Sequence, residues 1–456
     1  MDKLSLGTKV RYGVADLGIA LLTSAVQFFL LIYYTDVAGI NPALAGTALL
    51  VGKVTWDAIN DPLFGYLSDR TKSRFGRRRI YMLVGAIPLG LASWIMFSVP
   101  KGLTGLAAFF VVLVTFLLWD TFHTITSVPY YALTPEMTHD YNERTSLTAI
   151  RMIFSVAGYI LGAAATTVIA GLFASRLGWS VQASWSGTGA VFGFIAVAAV
   201  LTTALGVKEK PGLESKPSEL PPVKAVTTTF RNRPFVIMLA AFFISSFAFT
   251  LLTSLVPFFI IYQLGMKDAV PLVLLVMLLT IAIFIVPMQK VSERINKGPA
   301  YALGLFIAAM AIIMAFFLPQ GPTPWIYLIA IVAGIGFSGQ WVFPWSMLPD
   351  VVEYDQKMTG ERREGIYYGM WALLQKFTNA LGIFFSGLAL SWFGYIPNVA
   401  QTDRALLGIR LFFSLIPAIA LLISLPLLIR YPITKESHAR LVAELKEMEQ
   451  AGEVAA

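Results

Sequence analysis

The residues able to do chemistry in this chain are charges set where charges are costly. Asp16, Lys53, Asp57, Asp61, Asp120, Arg151 and Lys376 all fall within or at the edge of long apolar runs. Ionisable groups in such runs face a partner or a water-filled cavity, and they mark ion or solute paths. Lys53, Asp57 and Asp61 recur every four residues, with Asn60 three beyond Asp57. That spacing puts them on one helix face. Two carboxylates and an amide oxygen are the hard ligands an alkali cation prefers, and the same carboxylates can instead share a proton. The plainer alternative is a structural ion pair between Lys53 and Asp57, with Asp61 at the water boundary.

A second stripe holds Asp120, Thr124, Ser127 and Tyr131 at i, i+4, i+7 and i+11. Thr124 can lend a hydroxyl oxygen to a cation held by the first stripe, and Ser127 with Tyr131 can line a solute path. Each hydroxyl taken alone also fits a bond to the preceding turn. Pro129 is expected to kink this helix. His123 reads as a packed or hydrogen-bonded histidine. Trp341 and Trp345, with Tyr367 and Tyr368, suit either an aromatic platform for a sugar ring or ordinary packing. Phosphate-loop, HExxH and GxSxG motifs are missing from the sequence, which argues against an ATP-driven pump and leaves an enzyme little to work with. With no Cys, disulfides and thiolate metal sites fall away.

The elements that must carry these stripes are membrane spans. Of 456 residues, 57% are hydrophobic and 13% charged, against about 25% charged in a soluble domain. Roughly twelve runs reach the length of about 20 residues that a span needs: 12–39, 43–67, 80–98, 104–133, 146–173, 187–206, 235–263, 270–288, 299–318, 325–348, 366–393 and 405–429. A linker rich in Lys, Glu, Pro and Ser, 207–233, divides them into halves at 1–206 and 234–430. In the tail, 431–456, Leu441, Leu445 and Met448 among charges suggest a short amphipathic helix. Lys101, Arg176, Lys267 and Arg404 are the only basic residues in the loops of one face. The positive-inside rule then puts both termini in the cytoplasm. The net charge of +8 therefore reads as topology, with no nucleic-acid partner. Two six-helix bundles around a midplane site suit a secondary transporter; a channel would show a repeated filter loop.

Five segments resemble the glycoside-pentoside-hexuronide:cation symporters, which include the melibiose permeases, within the major facilitator superfamily. They are Tyr-Tyr-Thr-Asp-Val-Ala-Gly at 33–39, Trp-Asp-Ala-Ile-Asn-Asp-Pro at 56–62, Asp-Arg-Thr-Lys-Ser-Arg-Phe-Gly-Arg-Arg-Arg at 69–79, Pro-Tyr-Tyr-Ala-Leu at 129–133 and Pro-Asp-Val-Val-Glu-Tyr at 349–354. The resemblance covers nearly the whole chain. It implies an all-α protein with twelve transmembrane helices in two six-helix bundles, the major facilitator fold. By the same resemblance it works by alternating access, as a symporter of a sugar or glycoside with Na⁺ or H⁺. The cation falls on Asp57, Asn60, Asp61 and Thr124, and the solute on Asp16 and Arg151, with Lys376 facing them from the second bundle.

One departure concerns the solute. Where the melibiose permeases carry a second sugar-binding Asp and, four residues on, a Trp, this chain has Ser127 and Tyr131. A carboxylate accepts strong charge-assisted bonds from sugar hydroxyls. Its loss leaves a lysolipid-like or other amphipathic solute as the alternative, since the eukaryotic lysophospholipid symporters share this branch and its cation motif. The expected solute contacts are Asp16, Ser127, Tyr131, Arg151, Trp341 and Lys376. The expected partners are the solute, Na⁺ or H⁺ and membrane lipids, for a monomer in the plasma membrane, the inner membrane in a bacterium. No enzyme activity and no resident cofactor are expected. Cytoplasmic charges drawn from Arg70 to Arg79, Glu136, Asp350, Glu353 and Arg363 are expected to latch the outward-facing state.

Overall fold

A chain in lipid must satisfy its backbone amides and carbonyls internally, which leaves helix as the solution for apolar runs of this length. The computed structural model describes residues 4–138, 141–209, 229–360 and 363–450, and its described residues contain no strand. The first half comprises α1 (Leu6–Ile32, prolonged by a π turn Tyr33–Val37) and α2 (Pro42–Gly52, a π turn Lys53–Asp57, then Ala58–Arg70). It continues through α3 (Arg79–Met96), α4 (Gly105–Ala132), α5 (Tyr141–Leu177) and α6 (Val181–Gly206). In the second half come α7 (Arg233–Phe258 with a π turn Phe259–Gln263), α8 (Val270–Ile295), α9 (Lys297–Phe316), α10 (Trp325–Thr359) and α11 (Glu364–Trp392). The last span, α12, joins Asp403–Arg410, a π turn Leu411–Leu415 and Ile416–Ile429, and α13 (Lys435–Gln450) follows.

Local sequence starts these helices where expected. The Asn41 side chain accepts from the Leu44 amide ahead of Pro42, and Asn232 does the same for Phe235 ahead of Pro234. Both are N-caps followed by a proline in the first turn. Among the described residues, eleven helices are long and apolar enough to cross a membrane. The remaining span of the expected twelve is α2, whose apolarity is lowered by Lys53, Asp57 and Asp61. Pro129 lies inside α4 without ending it. α10 runs on to Thr359, well past the apolar run, because its polar end still forms helix outside the lipid. The predicted tail helix is α13: Leu441 and Leu445 are buried, and Lys357 reaches Glu444 at 2.5 Å.

α1 packs on α5 and α6 in the first half, and α7 on α11 and α12 in the second. Across the halves α2 meets α11, α5 meets α8 and α1 meets α7. The α1–α5 approach depends on glycine: a Cβ at Gly158 would run into the Leu17 carbonyl, and one at Gly162 into that of Leu21. Small residues let membrane helices approach this closely. Of the 207–233 linker, 210–228 lie outside the described residues. Glu209, just before them, accepts from the backbone amides of Arg77, Arg78 and Arg79 at 2.8, 3.0 and 2.9 Å.

The halves are tied together at the face where α1 ends, here termed distal. Asp36, in the π turn ending α1, accepts from Tyr395 at 2.6 Å and from Tyr262, in the π turn ending α7. Asn398 donates to the Asp36 carbonyl at 2.7 Å. On the opposite, terminal face the ion pairs join helices within one half: Lys9–Glu143, Lys297–Asp350 and Arg363–Asp355 at 3.0, 2.7 and 2.5 Å. Glu353 takes His438 of α13 at 2.7 Å. The Glu136 side chain, part of the expected latch, lies outside what the structure describes.

Gly158→Val is expected to push α1 from α5 and lower stability by about 1–3 kcal/mol, the usual effect of overpacking. A thermal melt of the purified protein checks this, and an unchanged melting temperature would contradict the close approach.

Candidate functional site

Two polar clusters lie between the helices, and α4 contributes to both. In the first, Asp61 of α2 accepts from the Thr124 hydroxyl of α4 at 2.9 Å through Oδ1. Its Oδ2 lies 2.5 Å from the Lys376 ammonium of α11. The carboxylate is therefore bonded to both halves. Beside it Asn60, fully buried, sits with Nδ2 at 3.4 Å from both the Asp120 carboxylate and the Asp120 carbonyl. Asn60 Oδ1 is buried with no hydrogen-bond partner among the described residues. An acceptor left so is unusual in a native structure, and a hard cation is the ligand such an oxygen suits. Lys53 lies 3.6 Å from Asp120.

The π turn at Lys53–Asp57 interrupts the strict four-residue repeat within α2. Such turns recur at functional sites because they reset the phase of the side chains that follow. Lys53 and Asn60 accordingly meet Asp120, while Asp61 meets Thr124 and Lys376. The Asp57 side chain lies outside what the structure describes, so the expected Asp57 ligand and the alternative Lys53–Asp57 pair have no geometry here.

The second cluster brings together Asp16 of α1, Tyr131 of α4 and Arg151 of α5. Tyr131 donates to Asp16 at 3.1 Å, and Arg151 Nε lies 3.8 Å from the other carboxylate oxygen. The guanidinium stands 5.0 Å from the centre of the Tyr131 ring, within cation–π range. Arg151 Nε has no hydrogen-bond partner among the described residues, so a donor as well as an acceptor is held ready in this part of the molecule. Ser127 is buried between the clusters on the same face of α4.

Of the other expected solute residues, Trp341 packs edge-on against Tyr159 at 5.1 Å. Tyr159 donates to Gln27 at 2.7 Å and Gln27 donates to Thr253 at 3.3 Å, a chain through α10, α5, α1 and α7. Lys376 is brought to Asp61, one of the expected cation ligands. His123 stacks on Trp119 at 4.9 Å and lies 3.3 Å from the Thr23 hydroxyl, a packed histidine as expected. Sequence reasoning missed the Gln27–Tyr159–Thr253 chain and the Asp36 tie. Asp36 stood in a quoted motif, but no periodicity links it to Tyr262 or Tyr395.

Charged groups at this depth stay accessible. The Asp61, Lys376 and Arg151 side chains keep 27%, 25% and 21% of their surface exposed, and Tyr131 keeps 42%. Each of them is at the same time paired with a residue of another helix. With the distal end tied through Asp36 and the terminal-face pairs named above each within one half, access to these groups is expected from the terminal face.

The sequence pattern of the family described as MFS/sugar transport protein matches residues 11–435. An uncharacterized symporter of Synechocystis sp. is 31% identical over 98% of each chain. The sodium-dependent lysophosphatidylcholine symporter 1-A of Danio rerio is 29% identical over 95% of this chain and 87% of its own. Among solved structures, a bacterial homologue of the human lysosomal transporter Spinster superposes with a TM-score of 0.68 at 14% identity, over 95% of this chain and 97% of that one. This last likeness establishes the major facilitator fold.

Because the chain has no Cys, Tyr131→Cys would be its sole thiol. It is expected to react faster with a membrane-impermeant maleimide added at the terminal face than at the distal face, and adding Asp36→Ala should raise distal labelling. Faster distal labelling with Asp36 intact would contradict the closure described.

Proposed function

The chain belongs to the MFS/sugar transport protein family, and on that premise we propose that it is a Na⁺-coupled symporter carrying a sugar or glycoside by alternating access. The observation that carries this reading is the Asp61 carboxylate, bonded at once to Thr124 and to Lys376 of the other half. Asn60, beside it, offers a buried oxygen with no hydrogen-bond partner among the described residues. Na⁺ here is a co-substrate. It would take Asp61, Asp57, the Asn60 oxygen and the Thr124 oxygen, and would displace the Lys376 ammonium from Asp61. A proton needs only one carboxylate, whereas the amide and hydroxyl oxygens complete a Na⁺ shell. The sodium dependence named for the Danio rerio relative supports the same choice.

Solute recognition falls to Asp16, Arg151 and Tyr131. Solute hydroxyls would donate to Asp16 and accept from Arg151, while Ser127 and Trp341 line the approach. Binding there would draw α1, α4 and α5 of one half toward α10 of the other. Downhill Na⁺ entry then drives accumulation, with both termini cytoplasmic and the distal face outside. A lysolipid-like solute is the second reading. It is favoured by the named substrate of the same relative and by Ser127, which leaves the solute path without a second carboxylate.

The test is uptake into proteoliposomes of labelled sugars and lysolipids, with and without a Na⁺ gradient. Asp61→Asn is expected to abolish coupling, and Thr124→Ala to weaken Na⁺ stimulation more than H⁺-driven uptake. Arg151→Ala should insert normally yet lose solute binding by at least about tenfold, since a hydrogen bond to a charged group is worth about 1.5–3 kcal/mol. Wild-type uptake by Arg151→Ala, or Na⁺ stimulation surviving in Asp61→Asn, would refute the assignment.

A further inference from the structure

Asp120 has no part in the mechanism above, yet it is 2% exposed in the middle of α4. Lys53 supplies a counter-charge at 3.6 Å from its Oδ1. Its Oδ2 and its main-chain carbonyl each lie 3.4 Å from Asn60 Nδ2. The two ends of a primary amide are almost alike in shape and opposite in chemistry: one only donates, the other only accepts. Neighbours therefore decide which end faces where. A carboxylate and a carbonyl both only accept, so the side of Asn60 turned to Asp120 must be its NH₂. At 3.4 Å both contacts are long for hydrogen bonds; two acceptors and a negative charge set the orientation together. The consequence lies at the other end of the amide. Asn60 Oδ1 is turned away from Asp120, buried and without a hydrogen-bond partner among the described residues.

We propose that Asp120 is a positioning residue of the cation site, holding the Asn60 amide so that its carbonyl oxygen, and not its NH₂, is presented to the cation. This rests on the reading of Asn60, Asp61 and Thr124 as cation ligands. Helix α4 then serves the site on two successive turns: Thr124 supplies an oxygen of its own, and Asp120 orients an oxygen that belongs to α2. Lys53 lets a carboxylate stand at this depth with its charge balanced. The pair is thus an orienting device: in Asp120→Asn the main-chain carbonyl stays, but the negative charge is lost and the side chain gains an NH₂. The new amide could donate to Asn60 Oδ1 and turn it from the cation.

The experiment is calorimetric titration of NaCl into the purified, detergent-solubilised full chain, with choline chloride holding ionic strength constant. Lys53→Met/Asp120→Asn removes both charges together, so neither is left buried alone. The variant is expected to melt near the wild-type temperature and to bind Na⁺ about tenfold more weakly, the loss of one oriented ligand. Asn60→Ala alone should lose a similar factor, and adding it to the pair variant should change Na⁺ affinity little further, because the oxygen is already turned away. Such non-additivity is what coupled residues give and a merely structural pair does not. If the pair variant does not purify as a monodisperse species, Lys53→Met/Asp120→Ser serves the same cycle. Wild-type Na⁺ affinity in the pair variant, or a fully additive further loss on adding Asn60→Ala, overturns the proposal. Asp61→Asn separates the two levels. If it abolishes Na⁺ binding while the pair variant binds normally, only the positioning role fails; if it binds Na⁺ as wild type does, the cation-site reading fails and the proposal with it.

Discussion

The contact on which the rest of the structure depends is the ion pair between Asp61 of α2 and Lys376 of α11, 2.5 Å apart and 315 residues apart in sequence. A charge at mid-membrane persists only where something neutralises it. Here the neutralising group belongs to the other half, so the charge balance at Asp61 depends on how the halves stand. Removing one member of a buried pair leaves the other uncompensated. In the proposed function a coupling cation would replace the ammonium with an equal charge. Asp61 would then be satisfied with Lys376 released, and this exchange would communicate ion occupancy to the helix that faces it.

The fold places the Asp16–Tyr131–Arg151 cluster, the proposed solute site, in line with that proposed exchange. Thr124 and Tyr131 sit on one face of α4, about 10 Å apart at the helical rise, so one helix touches both Asp61 and Asp16. α1 carries Asp16 about a third of the way along and Asp36 at its distal end, where Tyr262 and Tyr395 of the other half meet it. The tie involves the π turns that end the first helix of each half, a local echo of the six-plus-six organisation. A pull on Asp16 is therefore borne by the same helix that holds the distal face shut. The terminal-face charges Lys9–Glu143, Lys297–Asp350 and Arg363–Asp355 meanwhile pair within their own halves.

Much of this was legible in the sequence because it is periodic. Apolar runs long enough to span give the helices, and the stripes on α2 and α4 point to Asn60, Asp61, Thr124 and Tyr131 from spacing alone. The Asp16–Arg151 pairing came from family resemblance, and the glycines at 158 and 162 explain how the two helices approach closely enough for it. What stayed hidden is pairing between distant segments. Nothing in the surroundings of Lys376 says that it reaches Asp61 rather than Arg151's neighbours, and nothing around Asp36 names Tyr395. The π turn in α2 was likewise invisible, since Lys53, Asp57 and Asp61 read as an unbroken repeat. Asp120 stood out as an intramembrane charge, but its contact with an amide two helices earlier needed the packing of α2 on α4.

The exchange at Asp61 is tested most directly by the Na⁺ affinity of Lys376→Met, measured by calorimetry on the purified protein without solute. If the Lys376 ammonium and the cation compete for one carboxylate, removing the ammonium should tighten Na⁺ binding, by about tenfold for a contribution of 1.4 kcal/mol, while Asp61→Asn in the same background should abolish it. Affinity that is unchanged or weakened in Lys376→Met would contradict the exchange and leave the ion pair as a structural tie between the halves.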